Sequence, residues 1–365
     1  MVAEWYIMVS EVKDGKLGEV KEYKQLGTWI DTTGTGTHNI KKRMNKGEGA
    51  LKRIEQITHP SKVGKQAIPL KLDLFAVVYV STLLFNIEAW GNLHKDEVKM
   101  MEDAQANALR RLLKVPNSTP YMGIINETGI WPIEYQLMYK RMMLYQNIVN
   151  SGDSREVKKL ILEQERQPIG KCWALKVAQD ADSLGIQLEM VKNNLKSKAK
   201  KMIKAAIESK IREIIKENTT TKMRTVAKAE PGAKKYLSGN FCVEEVSDIL
   251  KAKLHMVNFK ENYRNKDVTN QCRLCGKSEE TTEHVFLACP ILKSVRQGYG
   301  VREGTLESEE ESECKKIIRY KRKCDLLFSS PLDERKVMVQ IGQKRKATTK
   351  NMQNNKRKRA LHGGP

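Results

Sequence analysis

Three cysteines and one histidine fall within eighteen consecutive residues, and they constrain the fold of that part of the chain more than any other feature. The residues are Cys272, Cys275, His284 and Cys289, with the spacing C-x2-C-x8-H-x4-C. Two thiolates one tight turn apart, followed by an imidazole and a third thiolate, are typical of a tetrahedral zinc site. The spacing therefore predicts that residues 268–292 fold around one Zn²⁺ ion.

Four protein ligands would leave no coordination position open, so the predicted zinc is structural and activates no water. Gly276 follows the second cysteine and provides the turn that such a knuckle needs. The alternative interpretation is three buried thiols and an ordinary histidine. We favour zinc because four ligand-type residues at this spacing form a recognisable metal-binding pattern.

Most of the remaining chain has the hydrophobic periodicity of helices. Helices are expected over roughly 70–90, 95–114 and 131–151, whereas residues 5–9 and 23–30 favour short strands. The longest uncharged apolar run, Leu74 to Ile87, has 14 residues, fewer than the roughly 18 of a membrane span. These features predict a mainly α protein with a short β-rich start, a buried core helix and no membrane partner.

The charge balance points to a polyanionic partner. Lys and Arg number 66 against 44 Asp and Glu, which leaves a formal net charge of +22. An excess of this size is typical of proteins that bind nucleic acid. Residues 192–228 hold twelve Lys/Arg and three Glu, and they form a basic amphipathic pattern with isoleucines on one stripe. A merely solvated helix face is the alternative interpretation of this segment.

Several cationic side chains are candidates for contacts with phosphate. The first helix, the basic segment and the Cys/His segment supply Lys41, Lys42, Arg43, Lys198, Lys200, Lys201, Lys204, Arg273 and Lys277. Arg110 and Arg111 are further candidates, although surface solvation is the favoured interpretation for that pair.

The last part of the chain alternates in charge. Residues 307–313 contain five glutamates. We interpret this stretch either as an acidic linker or as a mimic of nucleic acid that folds back on a basic surface of the protein. Two basic clusters follow, and ten residues separate them. This arrangement is typical of a two-part nuclear import signal or a basic arm, and a solubilising tail is the alternative. The clusters contain Lys344, Arg345, Lys356, Arg357, Lys358 and Arg359.

The order of these features resembles the C-terminal third of non-long-terminal-repeat (LINE-type) retrotransposon reverse transcriptases, over roughly residues 18–295. The motifs that carry the resemblance are Tyr23-x-x-Leu26-Gly27-x-x-Ile30-Asp31, Glu88-Ala89-Trp90-Gly91, Glu102-x-x-Gln105-x-x-x-Leu109-Arg110-Arg111-Leu112-Leu113 and Cys272…Cys289-Pro290. The resemblance implies the end of a palm, a thumb, a helical linker and a terminal zinc knuckle. It also implies RNA or an RNA–DNA hybrid as the partner.

The sequence lacks the catalytic residues of that family. Its members polymerise DNA with paired aspartates that hold two metal ions, and this chain has no adjacent Asp-Asp. Asp325 with Glu334-x-Lys336 only weakly matches a nuclease pattern. We therefore expect a nucleic-acid-binding fragment or remnant and no enzyme activity. The alternatives are a fragment of a polymerase or endonuclease completed by another chain, or a decayed product without a selected function.

Together these inferences predict five segments and a nuclear protein, with the cytoplasm as the alternative location. The segments are a strand-rich palm-end remnant (1–33), a thumb-like helical domain (34–185), a basic helical linker (186–265), a CCHC zinc knuckle (266–295), and an acidic linker with a disordered basic tail (296–365).

Overall fold

The computed structural model describes residues 10–13, 16–19, 22–25, 27–31, 36–90, 93–168, 170, 172–218, 220–263 and 269–329. Within these ranges the protein is mainly helical, which confirms the mainly α part of the predicted fold class, and its strands form two-stranded sheets. The chain divides into two compact units. Unit 1 comprises residues 1–112, 124–217 and 230–233, and unit 2 comprises residues 113–123, 218–229 and the chain from 234 on.

The start of unit 1 contains two antiparallel hairpins. Strand β1 (Ser10–Lys13) pairs with β2 (Lys16–Glu19), and β3 (Glu22–Gln25) pairs with β4 (Thr28–Asp31). Gly27 turns the second hairpin with φ of +84°, a backbone conformation that glycine adopts without steric cost. The predicted strand at 5–9 lies outside the described residues.

The helices between residues 37 and 217 are, in chain order, α1 (Thr37–Ile57), α2 (Pro60–Val63), α3 (Ala67–Leu74), α4 (Val80–Leu83), α5 (Lys95–Leu113), α6 (Tyr121–Thr128), α7 (Ile133–Val149), α8 (Glu156–Arg166), α9 (Trp173–Ser183), α10 (Leu188–Asn193) and α11 (Lys196–Glu217). Helix α7 is the contact point for the later helices of unit 1, whereas α1 packs against α3 and α4. Helix α7 contacts α8, α9, α10 and α11. Its Arg141 Nε lies 2.6 Å from Asp180 Oδ2 on α9, and both side chains are almost fully buried.

The apolar run predicted as a core helix belongs to a longer helical stretch. Residues 60–83 are long and apolar enough to cross a membrane by length and composition alone. In unit 1 the same stretch buries Ile68, Phe75 and Leu83, and α4 packs against α1. A single π-turn, Phe75–Tyr79, interrupts the α-helical hydrogen bonding between α3 and α4.

Unit 2 contains the last three helices and several short 3₁₀ turns. The helices are α12 (Val243–Lys253), α13 (Lys293–Tyr299) and α14 (Glu311–Ser329). Helix α12 begins where the Cys242 backbone N–H donates to Glu245 Oε2 at 2.9 Å. Helices α12 and α14 pack together, and Lys321 Nζ on α14 lies 2.8 Å from Asp248 Oδ1 on α12.

The structure differs from the predicted division into five segments. The segment predicted as linker and disordered tail, 296–365, contains a helix of 19 residues, α14. This helix buries Ile317, Tyr320, Cys324 and Leu327, a spacing that places them on one helical face. The predicted linker 186–265 is also split, because α11 belongs to unit 1 and α12 to unit 2.

Candidate metal centre and basic surfaces

The four predicted ligands converge in unit 2. The side-chain donor atoms of Cys272, Cys275, His284 and Cys289 all lie within 4.8 Å of one another. Cys275 Sγ and His284 Nε2 are 3.3 Å apart. In a tetrahedral site with metal–ligand bonds of about 2.0–2.3 Å, the donor atoms are roughly 3.5–3.8 Å apart. The observed separations, from 3.3 Å to at most 4.8 Å, span this range, so the group forms a possible metal site.

A tight turn brings the first two cysteines together. The Cys272 backbone N–H donates to Ser278 O at 2.7 Å, and the Gly276 N–H donates to Cys272 O at 2.8 Å. Gly276 has φ of +63°, which a residue with a Cβ adopts only with strain. This local hydrogen bonding explains why two cysteines three positions apart present both sulfurs to one point.

A short helical turn presents the other two ligands. Thr281 Oγ1 accepts from the His284 backbone N–H at 3.0 Å and so caps the start of this turn. A π-turn spans His284–Ala288, and its last bond runs from the Cys289 N–H to His284 O. Arg296 on α13 donates from Nη1 to Cys289 O at 2.7 Å and holds the end of the turn.

The surroundings favour thiolate formation at the first ligand. The hydrogen bond between the two sulfurs lowers the pKa of Cys272 and raises the pKa of Cys289. Backbone N–H groups of Leu274 and Cys275 also lower the pKa of Cys272. A metal ion binds the thiolate form of cysteine, and the direction of the Cys272 shift favours that form.

The centre is enclosed by protein. Cys272, Cys289 and His284 are buried, and Cys275 is half-buried. Four ligands in a closed shell leave no position for a substrate or a reactive water. The arrangement is therefore suited to stabilise the fold around an ion.

The turn that carries His284 is packed against α14. Phe286 is fully buried and lies edge-on to Tyr320. Phe286 therefore packs inside the core of unit 2 and is not available to stack on a base. The same hydrophobic cluster contains Ala252, Val257, Phe259, Cys272, Val285, Phe286, Cys289, Leu292, Val301, Leu306, Ile317, Tyr320, Cys324, Leu327 and Phe328.

The structure places Arg273 in an internal role, which corrects its prediction as a phosphate contact. Its guanidinium donates from Nε to Glu280 Oε1 at 2.9 Å, and the Arg273 backbone N–H donates to Glu280 Oε2 at 2.8 Å. Glu280 is fully buried, and the guanidinium lies 4.7 Å from the ring centre of Phe328. The sequence analysis did not assign a role to Glu280, because a glutamate in a charged segment has the same local pattern whether it is buried or exposed.

The lysines predicted on the basic segment lie on the exposed side of α11. Lys198, Lys200, Lys201 and Lys204 are all exposed. The opposite side of the helix buries a stripe formed by Ala199, Ile203, Ile207, Ile211 and Ile215. Within the described ranges none of the four lysines forms an ion pair, and the ion pairs of α11 lie further along, at Lys210 and Arg212. Lys196 at the start of α11 is exposed in the same way, and the sequence analysis did not include it.

The candidates on α1 fall into different environments. Lys41 is exposed, and Lys42 Nζ lies 3.5 Å from a carboxylate oxygen of Glu22. Arg43 is buried and donates to Gly27 O. The buried guanidinium corrects the prediction that Arg43 contacts phosphate, because its side chain is used to hold the β3–β4 turn.

The remaining candidates for phosphate contacts also differ in whether other residues of the protein already bind them. Lys277 is exposed on the turn after the second cysteine. Arg110 Nη1 donates to Asn107 Oδ1 at 3.1 Å, and Arg111 pairs with both Glu48 and Glu55. Arg110 thus makes a local contact within α5, whereas Arg111 joins α5 to α1 through its two glutamate partners.

Two sets of predicted residues lie partly or wholly outside the described part of the chain. Asp325 of the weak nuclease pattern lies on α14, where it accepts from Lys321 at 2.7 Å, whereas Glu334 and Lys336 are outside. The basic clusters predicted for nuclear import, from Lys344 to Arg359, are also outside the described residues.

The chain was compared with protein-family models, with curated proteins and with solved structures. None of the three comparisons gives a match.

Proposed function

We propose that this chain binds nucleic acid, RNA or an RNA–DNA hybrid, through the unpaired lysines of α11. The observation that carries the proposal is that Lys196, Lys198, Lys200, Lys201 and Lys204 are all exposed and that, within the described residues, none of them has a carboxylate partner. Unpaired surface lysines that repeat along one helix are suited to a row of phosphates, because each contact releases a condensed counterion.

The geometry of α11 supports this surface. The buried isoleucine stripe fixes the helix against unit 1 and keeps the opposite side in solvent. A helix held in this way presents its lysines without an ordering step on binding, which would otherwise cost affinity. The formal net charge of +22 adds a long-range attraction for a polyanion.

The metal in the proposal is structural Zn²⁺, held by Cys272, Cys275, His284 and Cys289. Three sulfurs and one imidazole nitrogen form a ligand set that zinc prefers. When bound, the ion would supply folding free energy to unit 2 and no chemistry on the nucleic acid. The proposal assigns binding to this chain and no catalytic step, and it treats the chain as a retrotransposon-derived fragment that acts in the nucleus.

The test is RNA binding by a triple variant of α11. Lys198→Gln, Lys201→Gln and Lys204→Gln together should weaken binding of a single-stranded RNA about tenfold or more at 100 mM salt. The slope of log affinity against log salt should decrease in magnitude by about 2, since single strands release roughly 0.7 counterions per contact. Fluorescence anisotropy between 50 and 200 mM salt measures both quantities.

The matched control removes the same charge elsewhere in unit 1. Lys52, Lys62 and Lys65 are exposed, and their triple glutamine variant should keep most of the affinity and the slope. Equal losses in both variants would assign the binding to net charge alone. Weak binding of the unaltered protein that does not depend on salt would reject the proposed function.

A further inference from the structure

A stretch of acidic residues in unit 2 is bound to lysines of the same unit. We define the acidic strap as residues 307–311, which lead into α14. Glu307 pairs with Lys228, Glu309 Oε1 lies 3.3 Å from Lys234 Nζ, and Glu310 Oε1 lies 3.3 Å from Lys235 Nζ. Three carboxylates therefore occupy three lysines that are distant in sequence.

The strap also makes contacts that resemble those of a bound polyanion. Glu309 Oε2 accepts from the backbone N–H of Lys235 at 3.4 Å. Glu311 Oε2 accepts from Asn240 Nδ2 at 3.0 Å. Lysine ammonium, backbone N–H and side-chain amide groups are the donors that proteins commonly direct at phosphate oxygens.

Buried residues hold the strap at both of its ends. Leu306 and Cys314 are buried on either side of it, and Thr305 Oγ1 donates to Glu313 Oε2 at 3.0 Å. The carboxylates are therefore tethered beside the lysines at a high effective concentration.

The three lysines differ in how firmly they are held. Lys234 is 5% exposed and its partner Glu309 is 31% exposed, so this pair anchors the strap. The other two pairs lie in solvent, because Lys228 and Lys235 are 63% and 76% exposed. Solvent-exposed ion pairs contribute little free energy and exchange readily with other anions.

We infer that Lys228 and Lys235 form a second RNA-binding surface, and that the acidic strap, anchored by the Glu309–Lys234 pair, occupies it until single-stranded RNA displaces the outer carboxylates. This inference rests on the proposed function, because it extends RNA binding from unit 1 to unit 2. The lysines of α11 have no such competitor in the described chain, so the protein carries one open basic surface and one covered basic surface. The strap lowers the affinity of unit 2 for RNA and makes binding there depend on exchange of anions.

The experiment removes the two outer carboxylates and leaves the anchor. In the Glu307→Gln/Glu310→Gln variant, affinity for a single-stranded RNA should rise by roughly 3- to 30-fold, because two exposed ion pairs no longer have to be broken. The slope of log affinity against log salt should increase in magnitude by about 1.4, for two further contacts. Circular dichroism and the thermal midpoint should stay unchanged, since both side chains are exposed.

A matched control separates the strap from net charge. Glu156 and Glu163 on α8 pair with Lys159 and Arg166 and are similarly exposed. The Glu156→Gln/Glu163→Gln variant changes the net charge by the same amount and should raise affinity less than the strap variant. An equal rise in both variants would overturn the covered surface, while binding that depends on α11 would leave the proposed function standing.

A quadruple variant tests whether the gain in affinity of the strap variant comes from the covered lysines. Adding Lys228→Gln and Lys235→Gln to the strap variant should abolish the gain in affinity and return the salt slope to that of the unaltered protein. A gain that persists without these lysines would show that the strap does not cover an RNA surface at this place. If neither the unaltered protein nor the strap variant binds RNA, both the proposed function and this inference are rejected.

Discussion

The ring of Phe286 lies 5.1 Å from the ring of Tyr320, centre to centre, at an interplanar angle of 80°. Phe286 lies two residues after the candidate ligand His284, and Tyr320 lies in the middle of α14. The Tyr320 hydroxyl also donates to Val285 O at 2.8 Å. The metal centre and α14 therefore share one core, and the state of one should affect the stability of the other.

Removal of the metal should consequently disturb more of unit 2 than the ligand segment. Structural zinc contributes on the order of 10 kcal/mol to small metal-tied folds. After chelation we expect faster amide exchange both in 270–290 and in α14, while α7 in unit 1 keeps its protection. Hydrogen-exchange mass spectrometry measures all three regions in one experiment. Protection of α14 that stays unchanged after chelation would show that its packing does not need the metal.

Replacement of single ligands should remove the ion. The unaltered protein should contain one zinc per chain by elemental analysis, and Cys289→Ser or His284→Ala should contain much less than one. Cys172→Ser is the control, because Cys172 is a free cysteine of unit 1 outside the ligand group. Equal zinc content in the ligand variants and the control would contradict the assignment of this centre.

Arg273 should matter for stability more than for nucleic-acid binding. Arg273→Ala leaves the carboxylate of Glu280, which is fully buried, without its guanidinium partner. Loss of one partner of a buried ion pair typically costs about 3–5 kcal/mol. Chemical unfolding should show a loss of this order, whereas Lys277→Ala, an exposed change in the same turn, should alter stability by at most about 0.5 kcal/mol. Similar small effects for the two variants would contradict the internal role of Arg273.

His255 should make unit 2 less stable at mildly acid pH. Burial lowers the pKa of His255 from its ordinary value of 6.5 to about 4. Between these pH values the unfolded chain binds a proton that the folded chain does not, so stability falls as pH falls. From pH 7 to pH 5 this group should cost about 2 kcal/mol.

The measurement compares the unaltered protein with His255→Asn by chemical unfolding at both pH values. Asn tolerates the left-handed conformation of this position, where φ is +54°. Protonation of the metal ligands affects both proteins alike, so the difference between their pH dependences reports on His255. Identical pH dependences would show that the imidazole is protonated in the folded state as easily as in the unfolded chain.

The corrections of the sequence analysis concern residues whose partners are distant in the chain. Arg43 and Arg273 were predicted as phosphate contacts from charge and position. In the structure Arg43 instead donates to Gly27 O, and Arg273 contacts Phe328 and the buried Glu280. A cationic side chain in a basic protein has the same local pattern whether it faces solvent or an internal carboxylate. Only the folded chain distinguishes the two cases.

Helix α14 was missed for a related reason. The acidic run from Glu307 to Glu313 predicted a linker, yet Ile317, Tyr320 and Cys324 already show the spacing of a buried helical face. The prediction of a linker relied on the negative charge of residues 307–313 and did not use the helical spacing that follows them. Pairing of the strap with Lys228 and Lys234 compensates that charge, so the acidic residues do not prevent α14 from packing.

The sequence by itself determined the helical class and the ligand group, because helical periodicity and the spacing from Cys272 to Cys289 act over a few turns of chain. Only the tertiary structure decided the two units, since each is assembled from separated stretches of the chain. It also decided which basic residues are open, as on α11, and which are covered, as at Lys234. Such contacts depend on how distant segments pack, and no local pattern of residue types specifies that packing.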